Sequence, residues 1–173
     1  MKKTLISLAM LTSTLTTNTL ASESSDAMVI YGKVNVSLQS SDGGAGRYSE
    51  AKSNGSRIGI KGGYDLSSNL NLIYMVEFGV DVTDAGGANN VTSREQWIGL
   101  QGKWGEVTVG RNETVLKLTS NPLDPFNDSS GDLTNLWQGG NRLSNVITYK
   151  SPYFKNVQLG MSYRLEDSVD GQD

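Results

Sequence analysis

Apolar and polar side chains alternate along most of the chain with a period of two residues. In MVIYGKVNVSLQ, residues 28–39, the alternation gives one apolar face, with Ile30, Val34, Val36 and Leu38, and one polar face. The same division recurs in SRIGIKGGYDL and in LNLIYMVEFGVD. Because successive side chains of a β-strand point to opposite sides of a sheet, this pattern predicts strands with one apolar face each.

Four later segments repeat the pattern less cleanly, so the sequence predicts about seven strands in all. The added strands lie near residues 94–102, 106–112, 142–150 and 156–165. The connections alternate in length, which predicts an antiparallel up-and-down meander with one elaborated rim. Long connections are expected near 40–54, 82–93 and 113–141, and short ones near 66–69, 102–105 and 151–155. All three prolines fall in connections, as a hydrogen-bonded sheet requires.

A meander of this kind can pack as a soluble sandwich, which buries the apolar face, or form a transmembrane barrel, which turns that face to lipid. Aromatic residues on the apolar faces could form the interfacial girdle of a barrel or an ordinary core. They are Tyr64, Tyr74, Phe78, Trp97, Tyr149 and Tyr163. Strands of about ten residues, short turns on one rim and long loops on the other favour the barrel.

The N-terminal segment also favours an exported protein. Residues 1–21 place Lys2 and Lys3 before a threonine-diluted apolar run that ends at the small residue Ala21, which predicts a secretory signal peptide. Residues 22–173 would form the mature chain. Without the two lysines, it has 13 basic and 18 acidic residues, a formal charge of −5 that disfavours nucleic acid as a partner.

The composition excludes much of enzyme chemistry. The chain has no cysteine and no histidine, so disulfides, thiolate or imidazole metal sites and histidine-dependent catalysis are closed to it. No carboxylate pair stands out from the turn acids. We therefore predict no catalytic residue, no metal site and no cofactor, and interpret the protein as a non-enzyme.

Three arginines occupy equivalent places at the start of strands that follow long loops. Arg57, Arg94 and Arg142 each follow a small polar residue and share the face that carries the polar side chains of their strand. Since alternate strands lie roughly 10 Å apart, the three guanidinium groups would form a ladder along one wall. Exposed rim charges paired with nearby acids are the alternative.

The segment NPLDPFNDSSGDL, residues 121–133, is the most acidic part of the longest connection. Asp124, Asp128 and Asp132 stand four residues apart among two prolines, which stiffen the backbone. Aspartate is also common in solvated turns, where it bonds to nearby backbone amides. The spacing lacks the pattern of a calcium loop.

Taken in order, these segments resemble the general-diffusion porins of Gram-negative outer membranes over essentially the whole mature chain. The resemblance is carried by VIYGKVNVSLQ, SRIGIKGGYDL, SREQWIGLQGKWGEVTVGRN and NRLSNVITYKSPYFKNVQLGMSY. It implies a β-barrel in the outer membrane, in contact with lipid, that assembles as a homotrimer and passes small hydrophilic solutes and ions.

In this family the loop after the fifth strand folds inward and narrows the channel. The resemblance therefore implies that the loop near 113–141 is the constriction, with Asp124, Asp128 and Asp132 facing Arg57, Arg94 and Arg142. Family members have about sixteen strands. The sequence is accordingly interpreted as the N-terminal half of a porin, an incomplete barrel of about seven strands. A small structural or adhesive barrel and a secreted ligand-binding β-sandwich remain alternatives.

Overall fold

The computed structural model describes residues 28–42, 46–84, 90–128, 131–133, 136, 139 and 141–165. The signal peptide predicted for residues 1–21 lies outside these ranges. No helix within them is long and apolar enough to cross a membrane.

The described residues form nine β-strands, a short helix and a 3-10 turn. The strands are β1 (Val29–Lys33), β2 (Val36–Asp42), β3 (Arg47–Ser53), β4 (Arg57–Ser67), β5 (Leu70–Val80), β6 (Val91–Gly102), β7 (Gly105–Glu113), β8 (Arg142–Lys150) and β9 (Gly160–Arg164). Seven of them pair antiparallel in the order β1-β4-β5-β6-β7-β8-β9. The predicted all-β, antiparallel up-and-down sheet is therefore confirmed. Among the described strands the sheet is open, with β1 and β9 at its edges.

The first predicted strand and the loop after it need correction. Residues 28–39 are not one strand, because the chain bends at Val34 and Asn35, and β2 pairs with β3 instead of β4. The expected long loop near 40–54 thus contains β3. Asn35 and Asn54 hold the bend together, since the Asn54 amide donates to the Asn35 carbonyl at 2.8 Å and the Asn35 side chain donates back at 3.0 Å.

The pairing registers divide the main sheet into an apolar face and a polar face. One cross-strand row on the apolar face consists of Tyr74, Ile98, Val109, Ile147 and Tyr163. The neighbouring row on the polar face consists of Ile73, Gly99, Thr108, Thr148 and Ser162, and is polar except for Ile73. The alternation read from the sequence therefore becomes two chemically distinct surfaces.

Burial runs opposite to that of a water-soluble protein. On the apolar face Ile98 is 52% exposed and Tyr163 62%, whereas Thr108 and Thr148 on the polar face are each 1% exposed. In water, each exposed large apolar side chain forgoes about 1.5–3 kcal/mol of burial free energy. The soluble sandwich, which the sequence left open as an alternative, does not account for this exposure, and lipid is the solvent that suits the apolar face.

The connections differ in length on the two rims. Ser68–Asn69 and Lys103–Trp104 are tight turns, while Ser151 to Leu159 forms a longer turn with one isolated bridge. On the other rim, residues 114–141 join β7 to β8. This connection contains the helix α1 (Val115–Ser120) and the 3-10 turn Asn121–Leu123, neither of which the sequence pattern predicted.

Candidate functional site

The connection between β7 and β8, residues 114–141, is called the crossing loop below, and its described residues lie across the polar face of the sheet. Its first helical turn is capped by Thr114, whose side chain accepts a hydrogen bond from the Lys117 amide at 3.3 Å. The Val115 amide donates to Ser162 on β9 at 3.1 Å. At its far end, Asp128 contacts Lys33 and Arg57 at the opposite edge of the sheet.

A cavity of about 340 Å³ lies between the crossing loop and the strands. Its lining contains only charged and amide side chains: Arg57, Glu77, Arg94, Glu95, Glu113, Lys117, Asn121, Asn127, Asp128, Asp132 and Arg142. Four of these residues are basic and five are acidic. A cavity with such walls suits water, ions and polar solutes and offers nothing to an apolar ligand.

Glu77 on β5 brings together two of the three predicted arginines. Arg94 donates from Nε to Glu77 Oε1, and Arg57 Nε lies 3.9 Å from Glu77 Oε2. Tyr31 on β1 also donates its hydroxyl to Glu77 at 2.9 Å. The Glu77 side chain is only 6% exposed, so the guanidinium groups offset the cost of burying its charge.

Two glycines and a β-bulge make this arrangement possible. A Cβ on Gly59 would lie 2.6 Å from the Tyr31 ring, and a Cβ on Gly79 would lie 3.3 Å from Arg94 Cδ. The absence of a side chain at both positions therefore leaves room for Tyr31 and Arg94. The register shifts between Val76 and Phe78, which places both Arg94 and Glu95 opposite the single residue Glu77.

The third arginine, Arg142 on β8, has its own carboxylate partner. It is the register partner of Glu113 on β7 and donates to it at 2.5 Å. The second oxygen of Glu113 accepts from Asn121 in the crossing loop at 3.1 Å. Glu113 is 5% exposed, so this buried carboxylate ties the wall to the loop. All three predicted arginines thus line one cavity, each beside an acid.

The three predicted aspartates occupy different environments. Asp128 lies 3.0 Å from Lys33 Nζ and 3.4 Å from Arg57 Nη2, so it contacts the basic wall directly. Asp132 also lines the cavity and accepts from the Asp128 amide at 3.1 Å. Asp124 is absent from the lining. Its side chain instead accepts from the amides of Phe126 and Leu133, at 2.9 and 3.0 Å.

Sequence reasoning missed the wall carboxylates Glu77, Glu95 and Glu113. The available signal was weak, since Glu77 is the one charged residue in the strand LNLIYMVEFGV. The placement of Trp97 on the apolar face was wrong. Trp97 pairs with Met75 between the apolar rows, and its indole donates to Glu95 at 3.0 Å. The bulge at Arg94 and Glu95 breaks strict alternation. The residues after the bulge therefore lie on the face opposite to the one that alternation from Arg94 assigns.

A family model described as Gram-negative porin matches residues 7–173 of the chain. The major outer membrane protein P.IB of Neisseria sicca is 36% identical over 125 residues, which cover 69% of this chain and 34% of that protein. An outer membrane porin protein of Bordetella pertussis is 29% identical over 118 residues, which cover 64% and 30%. The chain spans about a third of the length of these curated relatives.

Solved structures give the same fold. The anion-selective porin from Comamonas acidovorans matches with a TM-score of 0.70 and 24% identity, over 80% of this chain and 46% of that one. Salmonella typhi OmpF in complex with daunomycin matches with a TM-score of 0.64 and 17% identity, over 86% and 46%. At these identities the likeness concerns the fold alone.

Proposed function

Because the chain belongs to the family of Gram-negative porins, we propose that its sheet forms part of the wall and constriction of a water-filled channel for small hydrophilic solutes and ions. The protein is located in the outer membrane. The observation that carries the proposal is the polar cavity between the crossing loop and the strands, on a sheet whose opposite face is apolar and exposed.

The crossing loop would act as the constriction. It is attached at both ends of its path across the polar face, by Val115 to β9 and by Asp128 to β1 and β4. A loop held in this way narrows the space beside the wall without closing it. The proposal assigns Arg57, Arg94 and Arg142 to the basic wall and Asp128 and Asp132 to the acidic loop.

Asp124 keeps a place in the proposed constriction as the residue that shapes the loop. Its carboxylate accepts from the amides of Phe126 and Leu133, which lie two and nine residues further along the chain. Such local hydrogen bonds fix the turn that presents Asp128 and Asp132 to the cavity.

Passage through this zone would be selective by polarity. Opposed charges across a narrow gap orient water and favour solutes that can replace its hydrogen bonds, while an apolar solute of equal size gains nothing there. No bond is made or broken, so the protein would act without cofactor, metal or catalytic residue.

The test is planar-bilayer conductance of the chain and of the triple variant Arg57→Ser, Arg94→Ser and Arg142→Ser. A matched control replaces the exposed lysines Lys52, Lys103 and Lys155 by Ser, which removes the same charge outside the cavity. We expect discrete steps, with selectivity moved toward cations in the arginine variant only. Equal selectivity in both variants would refute the assigned wall, and absence of steps from every form would refute the channel.

Export and assembly are separate proposals. Residues 1–21 would direct secretion and be removed, which N-terminal sequencing of the exported protein would test. Family membership supports a homotrimer, and chemical cross-linking of protein extracted from outer membranes would show three-chain species. A pattern limited to single chains would contradict that assembly.

A further inference from the structure

We propose that Glu95 is a specificity-determining residue of the channel and gives it preference for cations over anions. The inference rests on the proposed function and deepens it. It concerns a wall carboxylate at the bulge in β6, beside Arg94 and on the lining of the cavity.

Adjacent carboxylates already compensate the positive charges of the three arginines. Arg94 bonds to Glu77, Arg142 bonds to Glu113, and Arg57 lies within 3.4 Å of Asp128 and 3.9 Å of Glu77. The side chains of these arginines are 15–23% exposed. An anion in the cavity therefore meets guanidinium groups whose field is largely cancelled by adjacent carboxylates.

Glu95 differs from the other wall acids in its hydrogen-bond partner. Within the ranges that the structure describes, it forms no ion pair, and its hydrogen-bond partner is the indole nitrogen of Trp97 at 3.0 Å. An indole N–H is a neutral donor, so it orients the carboxylate without cancelling its charge. Glu95 thus lines the cavity with a charge that no adjacent cation pairs with among the described residues.

Glu95 shares the cavity with other charged side chains. The carboxylates of Glu77 and Glu113 and the guanidinium groups of Arg94 and Arg142 line the same cavity as Glu95. Lys117, on helix α1, is the lining cation without a carboxylate within 4.0 Å among the described residues, and it belongs to the loop side of the cavity. Because the arginines pair with other carboxylates, Glu95 is the wall acid that a passing cation meets without an adjacent counter-ion among the described residues.

The experiment compares reversal potentials in a potassium chloride gradient across planar bilayers containing the chain, Glu95→Gln, Glu95→Asp or Glu95→Lys. Glu50→Gln is the matched control, because it removes the same charge on β3, away from the cavity lining. One charge acting across about 6 Å of water changes local ion concentration roughly threefold. Because the charge enriches cations and depletes anions by the same factor, we expect the cation-to-anion permeability ratio to fall about tenfold in Glu95→Gln and further in Glu95→Lys.

Retention of the wild-type ratio in Glu95→Asp, in channels that still open in discrete steps, would support a charge effect rather than a structural one. Equal ratios in Glu95→Gln and Glu50→Gln, with discrete channel steps in both, would overturn the inference while leaving the channel function intact. Loss of conductance from every form, wild type included, would refute the proposed function and the inference with it.

Discussion

Replacing Glu77 by Gln tests how strongly the wall carboxylate holds the arginines. Gln keeps the shape of the side chain but removes the charge that Arg94 and Arg57 face. A charge-assisted hydrogen bond such as that from Arg94 contributes about 1.5–3 kcal/mol to stability. Arg57, at 3.9 Å, adds about 0.5 kcal/mol. The amide oxygen of Gln retains a weaker bond, so we expect a loss of about 2 kcal/mol in the free energy of unfolding.

The assay is urea unfolding of the chain from lipid vesicles, followed by tryptophan fluorescence, with Glu106→Gln as the matched control. Glu106 pairs with Lys150 at 3.2 Å, but their side chains are 20% and 29% exposed, so that change should cost about 0.5 kcal/mol. A double-mutant cycle with Arg94→Gln should give a coupling free energy of about 1.5 kcal/mol. Coupling near zero, or equal losses in the two Gln variants, would refute the assigned role of Glu77.

Two further predictions concern the attachment of the crossing loop. Asp128→Asn removes the charge that binds Lys33 and Arg57. A spin label at Leu123→Cys, a site that is 76% exposed, should therefore become more mobile in this variant. Unchanged spectra would contradict the attachment of the loop. Gly55→Ala should also release the loop, because Gly55 has φ +64° and an added Cβ would lie 2.5 Å from Asp128 Cγ. We expect a loss of about 1–2 kcal/mol in the free energy of unfolding by urea. Wild-type stability would argue against this packing.

The strands were predictable because lipid and water impose a period of two on every spanning segment. Strand β8 matches its predicted range of 142–150, and the apolar positions Ile58 and Ile60 of β4 are exposed as the pattern requires. The three arginines line one cavity because strand starts on one rim bring together residues far apart in sequence. Local alternation was sufficient for these features.

The rest depended on contacts that no local pattern carries. Nothing in the alternation marks the bulge opposite Glu77, which inverts the face of Trp97 and turns Glu95 toward the cavity. The bend at Val34 and Asn35 is set by hydrogen bonds to Asn54 and Ser56 across the pair, so it depends on the partner strand. Helix α1 is only six residues long and is held by Ser162 from β9.

In the outer membrane, the apolar face of the sheet should meet lipid and the polar face should meet water. The chain has no native cysteine, so single cysteines can be placed cleanly at Ile98 or Val109 on the apolar face and at Lys61 or Asn127 on the polar side. In lipid vesicles, a water-soluble maleimide should label the Lys61 and Asn127 sites, while dyes at the Ile98 and Val109 sites should be quenched by lipids with brominated acyl chains. Rapid aqueous labelling of Ile98 and Val109, together with no lipid quenching there, would contradict the account.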